Sequence, residues 1–153
     1  MQFGTDTGTM EIHDFYIFER SGKMLFQRSF TRNETEAQER GKLVYGVLFS
    51  FKQLVPSLSA SDQIVEEGIR SMSTNGYTLT CFETPTGYRF ALITSVAKVP
   101  EQLKIRALLE RIFSELFVDL VMMDPLYQVG TKIESPIFTH AVVTLLQSLV
   151  STT

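Results

Sequence analysis

Cysteine is almost absent: Cys81 alone occurs in 153 residues, which excludes an internal disulfide and fits a reducing, cytosolic compartment. Long apolar runs are missing as well. Nowhere do about 18 consecutive apolar residues occur, so a spanning helix of ordinary length is excluded and any membrane contact is expected to be peripheral. Clustered positive charge is equally scarce. The chain carries 14 Lys and Arg against 17 Asp and Glu, a net charge of -3, and its cations are spread too thinly to neutralise nucleic-acid phosphates or anionic headgroups.

The residues that carry chemistry are few and scattered. The two histidines, His13 and His140, lie far apart and in no H-x-x-x-H spacing, whereas a metal site needs a ligand set; both read as structural. Cys81 falls in a predicted strand and reads as a small buried thiol rather than a nucleophile. Gly41 and Gly46 lie within a predicted helix, and Gly4 and Gly8 in the polar start, so no glycine-rich loop joins a strand to a helix as a phosphate cradle requires. Glu66-Glu67 and Asp119 lack a partner carboxylate at a readable distance and read as solvated charge. The chain is therefore expected to have no catalytic residue, no cofactor and no metal.

What is present fits one domain, and at this length roughly 68–70% of the unfolded surface is buried on folding. Met1 to Thr9 reads as a polar, flexible leader and residues 10–153 as a single α+β domain. Glu11 to Phe18 and Lys23 to Phe30 are rich in aromatic and β-branched residues, and Arg20-Ser21-Gly22 between them supplies a turn, which predicts a hairpin. The first strand is apolar on both faces and is expected to be central. Asn33 as N-cap, with Glu34 and Glu36 after it, predicts a helix to about Leu54. At 100° per residue Gly41, Leu43, Val44, Val47, Leu48, Phe51, Leu54 and Val55 share a core arc, and Tyr45 and Phe49 fall outside it as candidate interface rings.

A weaker strand is expected between Val65 and Met72. Tyr77 to Thr84 and Tyr88 to Ser95 form a second predicted hairpin through Thr84-Pro85-Thr86-Gly87. Pro100 and Glu101 open a long helix with a stripe of Ile105, Leu109, Ile112, Phe113, Leu116, Leu120 and Met123. Its end, Leu116 to Met123, is apolar nearly all round, so Phe117, Val118 and Val121 are expected to meet another element or chain. Asp124-Pro125 stops it, and Ile137 to Val150 forms a last amphipathic helix. The predicted order is ββαβββαα.

Three segments carry a resemblance: Lys42-Leu43-Val44-Tyr45-Gly46-Val47-Leu48-Phe49-Ser50; Cys81-Phe82-Glu83-Thr84-Pro85-Thr86-Gly87; and Leu116 to Gly130 with Asp124-Pro125-Leu126. Together with the opening hairpin, Phe15 to Gly22, they resemble the subunit 1 family of the transport protein particle (TRAPP) complexes, over essentially Met10 to Leu149. The resemblance implies a longin-like, sedlin-like fold: a five-stranded antiparallel sheet with one helix on one face and two on the other. It implies a non-catalytic scaffold subunit of a vesicle-tethering assembly that promotes guanine-nucleotide exchange on a Rab GTPase in ER-to-Golgi and Golgi traffic. Its implied partners are the synbindin-type longin subunit and the other small-subunit class, and its implied location is cytoplasmic, peripheral at ER-Golgi and cis-Golgi membranes. The pattern at Lys42, Tyr45, Gly46 and Phe49 carries over as interface. The segment Pro56 to Gly76 matches poorly, and acylation, known in the other small-subunit class, is not carried onto Cys81. A small chain of a clathrin-type adaptor is the alternative of similar size; a longin SNARE is disfavoured because no heptad coil follows.

Overall fold

The first strand explains the architecture. Ile12–Phe18 (β1) is apolar on both alternating faces, so it needs cover from both sides and neighbours along both edges. In the computed structural model, which describes residues 10–30, 39–46, 65–66, 69–73 and 76–151, β1 lies between β2 (Met24–Ser29) and β6 (Arg89–Thr94), antiparallel to both. The sheet continues through β5 (Thr78–Glu83) and β4 (Ile69–Ser73) to β3 (Val65–Glu66), giving the order β2-β1-β6-β5-β4-β3 with every neighbour antiparallel.

Both expected hairpins form where their turn residues lie. Gly22 and Gly87 adopt φ of 98° and 97°, a region that costs glycine nothing and other residues a steric clash. Gly22 N–H donates to Glu19 O at 2.9 Å, and Gly87 N–H to Thr84 O at 3.0 Å, closing the two turns. The strand expected between Val65 and Met72 is instead two, β3 and β4, paired through Val65↔Arg70 and Glu66↔Ile69. The five expected strands are thus extended at one edge by a strand of two residues.

Helices cover the sheet unequally. On one face lies α1, helical over residues 39–46; the rest of the helix expected from 34 to 54 lies outside the described residues. Its Val44 joins Tyr16, Phe18, Leu79, Cys81, Ala91 and Ile93 in a small cluster. On the other face lie α2 (Val99–Arg111), a π-helical continuation (Ile112–Met122) and α3 (Pro136–Ser151). There Phe15, Ile17, Phe90 and Leu92 of the sheet meet Ile105, Leu109, Phe138, Val142 and Leu146 in a far larger core. Lys98 N–H donates to Glu101 Oε1 at 3.0 Å at the start of α2, and Phe138 N–H to Ser135 Oγ at 3.2 Å at the start of α3.

The π-helical segment corrects the periodicity read from sequence. An α-helical stripe places Leu116, Leu120 and Met123 inward, but Met123 is 71% exposed, while Phe117 and Val121 are 1% and 2% exposed. From Ile112 the fully buried positions step by five residues to Phe117 and by four to Val121, and Met123 N–H donates five residues back to Val118 O at 2.9 Å. The wider turn sets Phe113 and Phe117 side by side, centroids 6.3 Å apart, over Phe82, Phe90 and Tyr88. Aromatic packing on the sheet is thus the physical reason that Phe117 is buried in the core, with Val121 one turn further on.

Candidate interaction faces

The short helix α1 is the first candidate, because the resemblance and the aromatic pattern both pointed to it. Its sheet side is tightly fitted. A Cβ on Gly41 would displace Met24 Cε and come within 3.1 Å of the Tyr16 ring, so glycine suits this close approach of the helix to the sheet. Tyr45 also turns toward the sheet rather than away from it. It is half-buried, its ring 5.4 Å from that of Phe18, and Gly22 leaves room for it in the β1–β2 turn.

Charged groups complete this contact. Arg89, almost wholly buried, donates from Nη1 to Tyr45 Oη at 3.3 Å, lies 5.5 Å over the Tyr45 ring, and meets Glu83 at 3.5 Å across the hairpin. At the other end of α1, Arg40 approaches the fully buried Asp14 of β1 at 3.8 Å. Neither Asp14 oxygen has a hydrogen-bond donor among the described residues.

The outward side of α1 is different in kind. Lys42 and Gly46 are exposed and Leu43 is 72% exposed. Among the described residues nothing lies within 4 Å of a Cβ placed on Gly46, in contrast to Gly41. Phe49, the other sequence candidate on this helix, lies outside the described residues. Leu43, assigned to the core by periodicity, is instead exposed.

A second apolar surface follows the π-helical segment. Val118 is partly exposed there, and Met123, Leu126 and Val129 are each at least 70% exposed. The loop that carries them is firmly tied. Leu126 N–H donates to Asp124 Oδ1 at 2.9 Å, Lys23 Nζ to Gly130 O at 2.8 Å, and Ile133 N–H to Leu25 O of β2 at 2.8 Å. Tyr127 donates its hydroxyl to Thr131 O at 2.7 Å, and burial, then the neighbouring Tyr88, hold its pKa above the ordinary tyrosine value. A groove of about 440 Å³ runs beside the loop, lined by Leu120, Tyr127, Lys132, Ile133 and Glu134 among others.

Among the described residues, chemistry-bearing side chains are scattered. His13 lies in β1, His140 is exposed on α3, and Cys81 is buried in β5; among the described residues no three His, Cys, Asp or Glu side chains cluster as metal ligands would. No helix among the described residues is long and apolar enough to cross a membrane.

A sequence profile of the Sybindin-like family matches residues 12–149, spanning both candidate faces. The chain belongs to that family, in its subunit 1 branch. Among similar proteins, human trafficking protein particle complex subunit 1 is 32% identical over 143 residues, covering 92% of this chain and 94% of that one. The subunit 1 of Dictyostelium discoideum is 30% identical over 132 residues, covering 83% and 88%. Subunit 4 of the same organism is 26% identical over 131 residues, covering 86% of this Sybindin-like chain and 93% of its own length. The sheet and helix layers therefore have the longin-like arrangement of a Sybindin-like protein, with one helix on one face and two on the other.

Proposed function

We propose that this chain is a non-catalytic scaffold subunit of a TRAPP-type tethering complex. The observation that carries the reading is similarity along nearly the whole chain to proteins named as subunit 1 of that particle, combined with two apolar surfaces that the fold does not use. In this reading the chain works in the cytoplasm, peripheral at ER-Golgi and cis-Golgi membranes. The assembly, not the chain, accelerates guanine-nucleotide exchange on a Rab GTPase. The likeness to subunit 4 supports a neighbour of the same fold, a synbindin-type longin subunit, on one side. The other small-subunit class takes a second contact.

Lys42, Leu43 and Gly46 on α1, with Phe49 beyond them in sequence, form one docking surface. Val118, Met123 and Leu126 form the other. Tyr45 backs the first surface from the sheet side. The test is affinity capture of the chain from its own cytosol, with mass spectrometry and a nucleotide-release assay. Sister TRAPP subunits in fixed proportion, with exchange in the captured fraction but not in the lone chain, are the expected result. Recovery of clathrin-adaptor large chains or SNARE proteins instead overturns the proposal.

A further inference from the structure

Helix α1 sits in an orientation that apolar periodicity alone does not select. A rotation of roughly a quarter turn about its axis would carry Leu43 toward the sheet and Tyr45 toward solvent, matching the arc that a 100° spacing gives. The hydrophobic effect acts in favour of that move, because Leu43 is 72% exposed and the apolar contact of the described helix with the sheet is Val44 and the Tyr45 ring. Something opposes it. Asp14 is fully buried on an interior strand with Arg40 of α1 at 3.8 Å as its counter-charge, and Arg89 holds the Tyr45 hydroxyl at 3.3 Å while lying over its ring. Rotation would pull Arg40 and Tyr45 away together, leaving a buried carboxylate uncompensated and the Tyr45 hydroxyl without its guanidinium donor.

We infer that the Arg40–Asp14 and Arg89–Tyr45 contacts are positioning latches that fix the rotation of α1 and thereby keep Lys42, Leu43 and Gly46 facing outward. A buried ion pair is a poor way to gain stability compared with apolar residues of the same volume, but a good way to select one arrangement of two elements over another. The two latches grip the described helix five residues apart, at Arg40 and Tyr45, on the side occupied by Gly41 and Val44. Their role as determinants of partner binding rests on the proposal that the outward side of α1 meets a sister subunit.

The test separates the two ideas. Carbene footprinting of the full chain, read by mass spectrometry, reports side-chain exposure without any partner. In the parent chain Leu43 is labelled strongly and Tyr45 weakly. In a variant with Asp14→Leu, Arg40→Met and Arg89→Met, which removes both latches without stranding Asp14, the Tyr45-to-Leu43 labelling ratio is expected to rise at least fivefold. Should that variant fail to fold, Tyr45→Phe removes the hydroxyl alone, and the corresponding ratio at position 45 is expected to at least double. A ratio unchanged in the folded triple variant overturns the latch inference, and one unchanged in Tyr45→Phe, where the other does not fold, overturns the Arg89–Tyr45 latch. Separately, Leu43→Asp is titrated with the subunit 4-type chain of the same organism. At least tenfold weaker binding supports the outward docking surface, and unchanged binding overturns that surface while leaving the latch result to stand on the footprint.

Discussion

The two faces of the sheet are held by different physics. The face under α2, the π-helical segment and α3 is sealed by rings and branched side chains, with Phe15, Phe90, Phe117 and Phe138 at 0–1% exposure. Among the described residues, the face under α1 has a small apolar cluster together with a buried aspartate, a nearly buried arginine and a close glycine. Apolar packing is strong and tolerant of small rearrangements, whereas paired charges are weaker in net energy and specify geometry. In the proposed scaffold role this division is useful, because one face can hold the fold together while the other presents a defined surface.

The difference can be broken most forcefully at Phe117. Replacing it with alanine opens a cavity beneath several rings and should cost about 3–5 kcal/mol in denaturant unfolding. Arg40→Met leaves Asp14 buried without its counter-charge. Since Arg40 is itself about a third exposed, the loss should be smaller, about 1–3 kcal/mol, and Asp14→Leu in the same chain should recover most of it.

The two glycines of α1 sharpen the contrast with opposite signs. Gly41→Ala gains helix propensity but crowds Met24 and the Tyr16 ring, for a net loss of about 1 kcal/mol. Gly46→Ala should stabilise the free chain by about 0.5–1 kcal/mol, read as a higher midpoint in the same unfolding experiment. A Gly46→Ala that stabilises the free chain yet weakens its assembly would assign the glycine to the partner.

The smallest effect concerns Tyr127, which supports the apolar loop. Its folded pKa is raised, so between the unfolded value near 10.0 and the folded value the native state retains a proton that the unfolded state has lost. The associated stability is present below the unfolded pKa and is lost as pH rises through the folded one. Tyr127→Phe should therefore flatten the decline of stability above pH 10.0, measured by denaturant titration across that range.

Much of the fold was readable because its turns are chemically explicit. Gly22 and Gly87 sit at positive φ where Ser21-Gly22 and Thr86-Gly87 suggested turns, and the central position of β1 followed from its two apolar faces. Three features were hidden. The helix after Arg111 was read with a single period, and only the five-residue step from Ile112 to Phe117 reveals the wider turn that buries Phe117 and Val121. The strand near residue 65 was read as continuous, and the chain instead pairs Val65–Glu66 with Ile69–Ser73. On α1 the periodicity exchanged Leu43 and Tyr45. Hydrophobicity places a leucine inside by default, whereas the partners that hold Tyr45, from Phe18, Gly22 and Arg89, are distant in sequence and invisible to a helical plot. On α1 the exposed apolar side chain is thus Leu43, and the half-buried one is Tyr45.

The most direct measurement is carbene footprinting of this chain alone and within the assembly captured from its own cytosol. The account predicts that Leu43 on α1 and Met123 and Leu126 after the π-helical segment are heavily labelled in the free chain and protected in the assembly. Exposed Leu103 on α2, which belongs to neither surface, should remain labelled in both. Unchanged labelling of Leu43, Met123 and Leu126 on assembly would contradict the proposal that these surfaces are where the scaffold is held.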